Sequence, residues 1–264
     1  MKNKIGLKLW SLNENYIAPA RELFKEKIYD YIELYAVPDS LEKLSLWVNL
    51  QKELNLPFAV HAPHFSHGLD FSNKDKRELN LAAAKEAFKW SEALNAIYTV
   101  FHPGIGGNLN ESIYQIANLS RLSKSEFIIE NKPFIVNFKK TGETGFCIGS
   151  SYESLKRIKE ETGVGLCLDV GHAICSANYQ KLEIYGYVEL LNSLNPLVYH
   201  LSDNVADSMY DAHLHFGEGS FDLAKIAKIL NQALPLAIET NKNSEENLDD
   251  FRQDAEFFRK LKWK

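Results

Sequence analysis

Residues 211–219, DAHLHFGEG, alternate an acid and two histidines through five positions and then close on Gly-Glu-Gly. Alternate side chains on an extended segment point the same way, so Asp211, His213 and His215 would share one side. Two imidazoles and a carboxylate gathered there are either a metal grip or a polar surface patch. Groups of the same chemistry recur along the chain, in HAP (61–63), FHPG (101–104), IEN (129–131), LDVGHA (168–173), HLSD (200–203) and IET (238–240). They contribute His61, His102, Glu130, Asp169, His172, His200 and Glu239. Oxygen and imidazole ligands without thiolate suit zinc, manganese or iron, with zinc favoured where imidazoles are many.

Something must carry these residues to one place. Short apolar runs recur along the chain at 4–9, 30–35, 57–63, 97–104, 126–131, 164–170, 198–203 and 234–240. Most are β-branched or aromatic and too short for independent helices, so they read as strands. The stretches between them have helix spacing. Over 75–94, Leu79, Ala82, Ala83, Ala87, Trp90 and Ala93 or Leu94 make an apolar stripe, with lysines and glutamates on the rest of the circumference. Over 150–163 a Ser-rich start and a Gly stop bracket another helix. Eight such units in about 250 residues predict a (β/α)8 TIM barrel over 1–264 as a single domain. A doubly wound open sheet would need a Gly-rich phosphate turn after an early strand, and LKLWSLNEN is not one.

In a TIM barrel the carboxyl ends of the strands face the active site. The third to eighth predicted strands end in turn on His61, His102, Glu130, Asp169, His200 and Glu239, with His172, Asp211 and His213 just beyond strand ends. A lone histidine after a strand is ordinarily a satisfied polar residue, and a lone carboxylate ordinarily caps a helix. Here all of them converge on one rim. Crowding several carboxylates there is costly unless cations neutralise them, and that favours a metal site.

The chain of 264 residues carries a net charge of −5, so no general basic coat for nucleic acid is present, although a local patch or bound cations could attract an anion. Cys147, Cys167 and Cys175 are odd in number and lack C-x-x-C spacing, which predicts reduced thiols in a cytoplasmic protein. Core packing is the expected role of Cys167. No segment reaches about 18 apolar residues, so neither export nor membrane insertion is expected.

The motifs, taken in order over nearly the whole chain, resemble the endonuclease IV and xylose isomerase-like TIM-barrel superfamily. The resemblance implies a site for up to three zinc ions. His61 and His102 would bind the first, and Glu130 would bridge it to the second. Asp169, His200 and Glu239 would complete the second, and His172, Asp211 and His213 would hold the third. Glu130 and Glu239 are the implied catalytic carboxylates. His215 is left over, either packing the loop or touching substrate. Such a cluster suits in-line attack on a phosphoester, as at abasic sites in DNA, with Glu130 orienting the nucleophile. The subset Glu130, Asp169, His200 and Glu239 also resembles that of the superfamily's sugar isomerases and epimerases, which move a proton beside a polarised carbonyl. Hydrolysis is the first expectation and isomerisation of a sugar or sugar phosphate the second. A metal-stabilised binding scaffold, the third, would require a closed coordination shell.

Three departures from the repair enzymes bear on substrate. AVPDS (36–40) lacks their Asn-Pro-Arg run, His64 stands where they usually have Tyr, and IGLKLW lacks their Gly-Ala-His opening. The substrate is therefore abasic DNA or a phosphorylated small molecule. The long segment 130–150 reads as a lid from which Lys132, Lys139 and Lys140 could reach a phosphate, unless they are merely solvated. His64, His67 and Asp70 are further candidate contacts, and Trp10 could floor the pocket or pack the barrel edge. Glu33 would either pair with Lys8, the favoured reading, or hold a ligand histidine.

Overall fold

The computed structural model describes residues 3–138 and 142–261. Its strands are β1 (Ile5–Trp10), β2 (Tyr31–Tyr35), β3 (Phe58–His61), β4 (Tyr98–Phe101), β5 (Glu126–Glu130), β6 (Ile135–Asn137), β7 (Thr144–Phe146), β8 (Gly165–Asp169), β9 (Val198–Leu201) and β10 (Leu236–Ile238). Eight of them close a parallel barrel in the order β1, β10, β9, β8, β5, β4, β3, β2. Each overlaps one strand expected from the sequence. The helices are α1 (Ile17–Lys25), α2 (Leu44–Leu54), α3 (Arg77–Ala93), α4 (Leu109–Ser120), α5 (Tyr152–Thr162), α6 (Val170–Gln180), α7 (Ile184–Asn192), α8 (Leu223–Ile229) and α9 (Asp249–Lys260). This is the (β/α)8 TIM barrel that the alternation predicts. Among the described residues no helix is long and apolar enough to cross a membrane.

The two-residue period of the strands sorts side chains into an outer and an inner set. Leu7, Leu9, Ile32, Leu34, Leu166, Leu168, Tyr199 and Leu201 join the large core that packs under the helices. The residues between them point inward. Tyr31, Ala59, Tyr98, Val100, Ile128, Cys167 and Val198 form a small apolar plug in the barrel. Gly6 makes room for it, since a Cβ there would lie 2.4 Å from the Tyr31 ring. Two residues further along each strand the inward position becomes polar: Glu33 above Tyr31, Glu130 above Ile128, Asp169 above Cys167, and His200 above Val198. The plug is thus the floor of the site. Its top layer is where sequence and strand direction put the charged residues.

Helix α5 begins and ends as its sequence dictates. Ser151 caps it, with its hydroxyl accepting from Ser154 N, and Gly163 closes it at φ +74°. Helix α3 corrects an expectation: Leu79 and Ala82 of the proposed stripe are exposed, while Asn80, Ala84, Ala87, Phe88, Trp90 and Ser91 are buried. The cause is polar anchoring of its first turn. Asn80 accepts from Asp70 N at 2.9 Å and donates to Asp70 O at 2.7 Å and to Gln115 Oε1 at 2.8 Å, which rotates this end so that an amide faces inward.

The long connection from β5 to α5 contains an element the sequence reading did not contain. β6 and β7 pair antiparallel, with Ile135 opposite Phe146, as a separate two-stranded sheet. Phe134 of this segment stacks on Tyr179 of α6 at 4.5 Å between centroids. Lys139 and Lys140 lie outside the described residues.

Candidate metal centre

Glu130, the last residue of β5, is the hub. Its Oε2 lies 3.1 Å from His61 Nε2, 3.2 Å from His102 Nε2 and 3.3 Å from His200 Nδ1. Its Oε1 lies 3.0 Å from both Lys132 Nζ and His172 Nδ1. A second group sits at the start of α6 and the loop after β9: Asp211 Oδ2 is 2.7 Å from His213 Nε2 and 3.4 Å from His172 Nε2. Ligand-capable atoms of His61, His102 and Glu130 fall within 4.8 Å of one another, as do those of His172, Asp211 and His213. These are the first and third implied sets. The second set, Asp169 with His200 and Glu239, is not brought together in this way. His200 and Glu239 group with Glu33, whereas Asp169 groups with Glu130 and His172.

The reason is visible in the partners. Glu239 Oε1 receives Lys8 Nζ at 2.5 Å as well as facing His200 Nδ1 at 3.1 Å. Asp169 Oδ1 caps α6 by accepting from His172 N at 2.7 Å. Lys8, on β1, also pairs with Glu33 at 2.6 Å. Both readings of Glu33 therefore hold: it binds Lys8, and its other oxygen accepts from His200 Nε2 at 3.0 Å and from Tyr98 OH at 2.8 Å.

Whether the donors fit a metal can be judged from their free lone pairs. His61 Nδ1 donates to the Ala62 carbonyl at 2.7 Å, so the neutral ring presents its Nε2 lone pair to Glu130. His172 Nδ1 donates to the Asn131 carbonyl at 2.9 Å, which turns Nε2 toward Asp211. His200, held by Glu33, aims Nδ1 at Glu130 and Glu239. His200 Nδ1, His213 Nδ1 and both Asp211 oxygens are buried without a hydrogen-bond partner. Lone pairs facing carboxylates at these distances repel unless a proton or a metal ion stands between them. A carbonyl behind His61 and His172 and a carboxylate behind His200 make the arrangement that orients metal-ligating histidines. The residues fit divalent ions with imidazole and carboxylate ligands.

The electrostatics point the same way. Burial opposes charge on His172, but Asp169 leads the groups that raise it to about 10. Burial likewise opposes charge on His213, and Asp211 nonetheless lifts that ring to about 9. This end of the site demands positive charge. At the other end, burial and then Lys8 lower His61, and burial and then Lys132 lower His102, so these two rings stay neutral and keep their lone pairs. Burial, reinforced by Asp211 and Glu130 against His172, raises Asp169 to about 6. Cys167 is also within reach of Glu130 and His200, but burial pushes its thiol up and keeps it protonated.

Supporting residues explain the opening motif. Asp203, at the end of HLSD, accepts from Asn204 N (2.8 Å), Gly217 N (2.9 Å), Gly219 N (3.2 Å) and Phe221 N (3.2 Å). A Cβ on Gly219 would lie 2.4 Å from Asp203 and Asn204, so the second glycine of Gly-Glu-Gly is required by close approach. The expected extended alternation fails at His213, whose φ is +49°. That turn keeps Asp211 and His213 together and sends His215 elsewhere, to Asp254 Oδ2 at 2.7 Å. His215 packs the loop. Asn131 clamps β5 to β8 by donating to Asp169 O at 2.9 Å and accepting from Asp169 N at 2.7 Å.

A cavity of about 810 Å³ opens over these groups. Trp10 stands at its mouth, 45% exposed and packed on Tyr35 at 4.9 Å, so it walls the pocket instead of flooring it. His64 lines the pocket, stacked on His102 at 5.6 Å. Burial foremost, then His61, lowers the His64 pKa to about 2, and the ring is neutral. His67 is held by Tyr35 OH at 2.7 Å. Asp70 is corrected: it is buried and accepts from Ser72 Oγ at 2.6 Å and Ile105 N at 3.0 Å, fixing loops away from the cavity. Lys132 is corrected too. It is neither solvated nor extended from a lid but buried against Glu130, because an inward ammonium is drawn to that carboxylate. The sequence pairs Lys8 only with Glu33; its contact with Glu239 carries no local signal, since it depends on β1 and β10 being neighbours in the closed barrel.

A closed parallel barrel with imidazoles and carboxylates at the carboxyl ends of its strands defines a TIM-barrel protein built around a candidate metal centre. The chain belongs to the xylose isomerase-like TIM barrel family, whose sequence pattern it matches over residues 24–261. A curated relative, a probable endonuclease 4 of Halothermothrix orenii, is 29% identical over 220 residues, covering 76% of this chain and 77% of that protein. Two solved structures share the fold. A D-tagatose 3-epimerase-like protein superposes at TM-score 0.74 and 20% identity, covering 99% of this chain and 97% of its own. Endonuclease IV from Thermus thermophilus does so at 0.71 and 20% identity, covering 97% of each chain.

Proposed function

We propose that this protein is a zinc-dependent phosphoester hydrolase of the endonuclease IV type. The observation that carries the reading is the grouping of imidazole nitrogens whose lone pairs face Glu130, Asp211 and Glu239 while carbonyls and Glu33 hold their opposite edges. Kinship with proteins named probable endonuclease 4 supports it. His61, His102, Glu130, His172, His200, Asp211 and His213 would hold zinc, and Asp169 and Glu239 lie beside them. Bound zinc would supply Lewis acidity and a nucleophile available at neutral pH. The chain's own residues do the rest. Glu130 and Glu239 orient the attacking group, and Trp10 and Tyr35 shield one side of the cavity from water.

A second reading, epimerisation or isomerisation of a sugar phosphate, is favoured by one observation. The cavity of about 810 Å³ has an aromatic wall of Trp10 and Tyr35, which suits a sugar ring, and AVPDS at its edge lacks the run expected of enzymes that grip DNA. One experiment separates the two. Zinc-loaded protein is incubated with a duplex carrying an abasic-site analogue, beside Glu239→Gln. Metal-dependent nicking by the native chain, lost in the variant, is the expected result. No nicking by protein verified to hold zinc overturns hydrolysis of DNA and directs the search to a ketose and aldose phosphate panel.

A further inference from the structure

Five carboxylates meet at the site, Glu33, Glu130, Asp169, Asp211 and Glu239, and two ammonium groups of the chain are set among them. Lys132 is 6% exposed, with Nζ 3.0 Å from Glu130 Oε1, 3.3 Å from His102 Nε2 and 3.4 Å from His172 Nδ1. Lys8 Nζ is 2.5 Å from Glu239 Oε1 and 2.6 Å from Glu33 Oε1. We propose that Lys8 and Lys132 are internal cations that take the place of the middle ion of a three-ion centre, so that this chain holds two zinc ions. The proposal rests on the metal-binding reading above and specifies the occupancy of that same site.

The geometry divides Glu130 into two halves. Oε2 faces three imidazole nitrogens and remains a ligand atom for one ion. Oε1, which would have to reach the middle ion, faces an ammonium and His172 instead. Glu239, the other carboxylate that ion would need, is taken by Lys8. This accounts for the one donor set that does not assemble: Asp169, His200 and Glu239 are parted while the outer two sets are gathered. Charge agrees. With neutral imidazoles, five carboxylates and two ammonium groups leave three negative charges. Two divalent ions bring the site to one positive charge, which one anionic ligand balances, whereas three ions leave three positive charges crowded in a buried space.

The test is a metal count. Native mass spectrometry and elemental analysis would measure zinc per chain after saturation with zinc and desalting, for the native protein, Lys132→Met and the Lys8→Met/Lys132→Met double variant. Circular dichroism would check that each folds. Two ions on the native chain and three on the double variant are expected. Any native count other than two overturns the proposal, as does an unchanged count in a folded double variant. If the double variant does not fold, Lys8→Met and Lys132→Met are counted singly, and a count that stays at two in both overturns the proposal. A native chain that holds no zinc overturns the metal-binding reading itself, an outcome distinct from a count of three.

Discussion

Glu33 shows how a residue outside the ligand groups controls one inside them. It is fully buried, and its oxygens hold His200 Nε2, Lys8 Nζ and Tyr98 OH together. Burial works against its ionisation, but His200 and Lys8 more than offset this and keep its carboxyl well below the ordinary range. A permanently ionised Glu33 fixes the His200 tautomer with Nδ1 toward Glu130 and Glu239. Glu33→Gln preserves the shape but removes the charge that selects that tautomer. Zinc affinity, read by chelator competition, should fall by about 10- to 100-fold, the usual consequence of removing a carboxylate behind a metal-bound histidine. Unchanged affinity would show that the barrel wall alone orients the ring. Much of this is open to a reader of the sequence, because Glu33 falls on the inward phase of β2, two positions from Tyr31. Its choice between Lys8 and a histidine is not, since both are in reach only once the barrel closes.

At the scale of elements, the strands are legible because the barrel buries them on both faces, which leaves short β-branched and aromatic runs between the helical stretches. The α3 stripe misleads because apolar periodicity assumes that a helix faces apolar surroundings along its whole length. Its first turn lies over a polar loop clamped by Asp70 and Asn80. The β6–β7 hairpin gives no signal because its strands are three residues each, too short for a period to show. The loop after β9 is the element on which the outer ligand group depends. Asp203 alone satisfies four backbone N–H groups there. Asp203→Asn would put an amide NH2 against some of these donors and leave them buried and unpaired. A loss of about 2–3 kcal/mol in urea denaturation is expected, with weaker zinc binding through Asp211 and His213. A loss under about 1 kcal/mol would mean that the glycines alone hold the loop.

At the scale of the whole molecule, the closed barrel converts six strand ends spread between residues 61 and 239 into one charged layer over an apolar floor. Folding and ion binding are therefore one equilibrium seen from two sides, and pH enters both. In metal-stripped protein, His172 at about 10 and His213 at about 9 sit above their ordinary value near 6.5. Groups raised in the folded state contribute stability that is fully present below about pH 6.5 and is lost as pH rises through their folded values. Stripped protein should therefore lose thermal stability between about pH 6.5 and 10. Zinc needs the same nitrogens free of protons, so its affinity should rise across that window. The gain in Tm on adding zinc should widen as pH increases, with about 2.7 kcal/mol of stabilisation when free zinc is about a hundred times its Kd. Proton release on zinc binding, followed by titration calorimetry in buffers of different ionisation enthalpy, gives an independent reading at about pH 7. A Tm gain independent of pH, with no protons released, would mean that His172 and His213 do not bind zinc and that the outer group is a polar cluster within the loop.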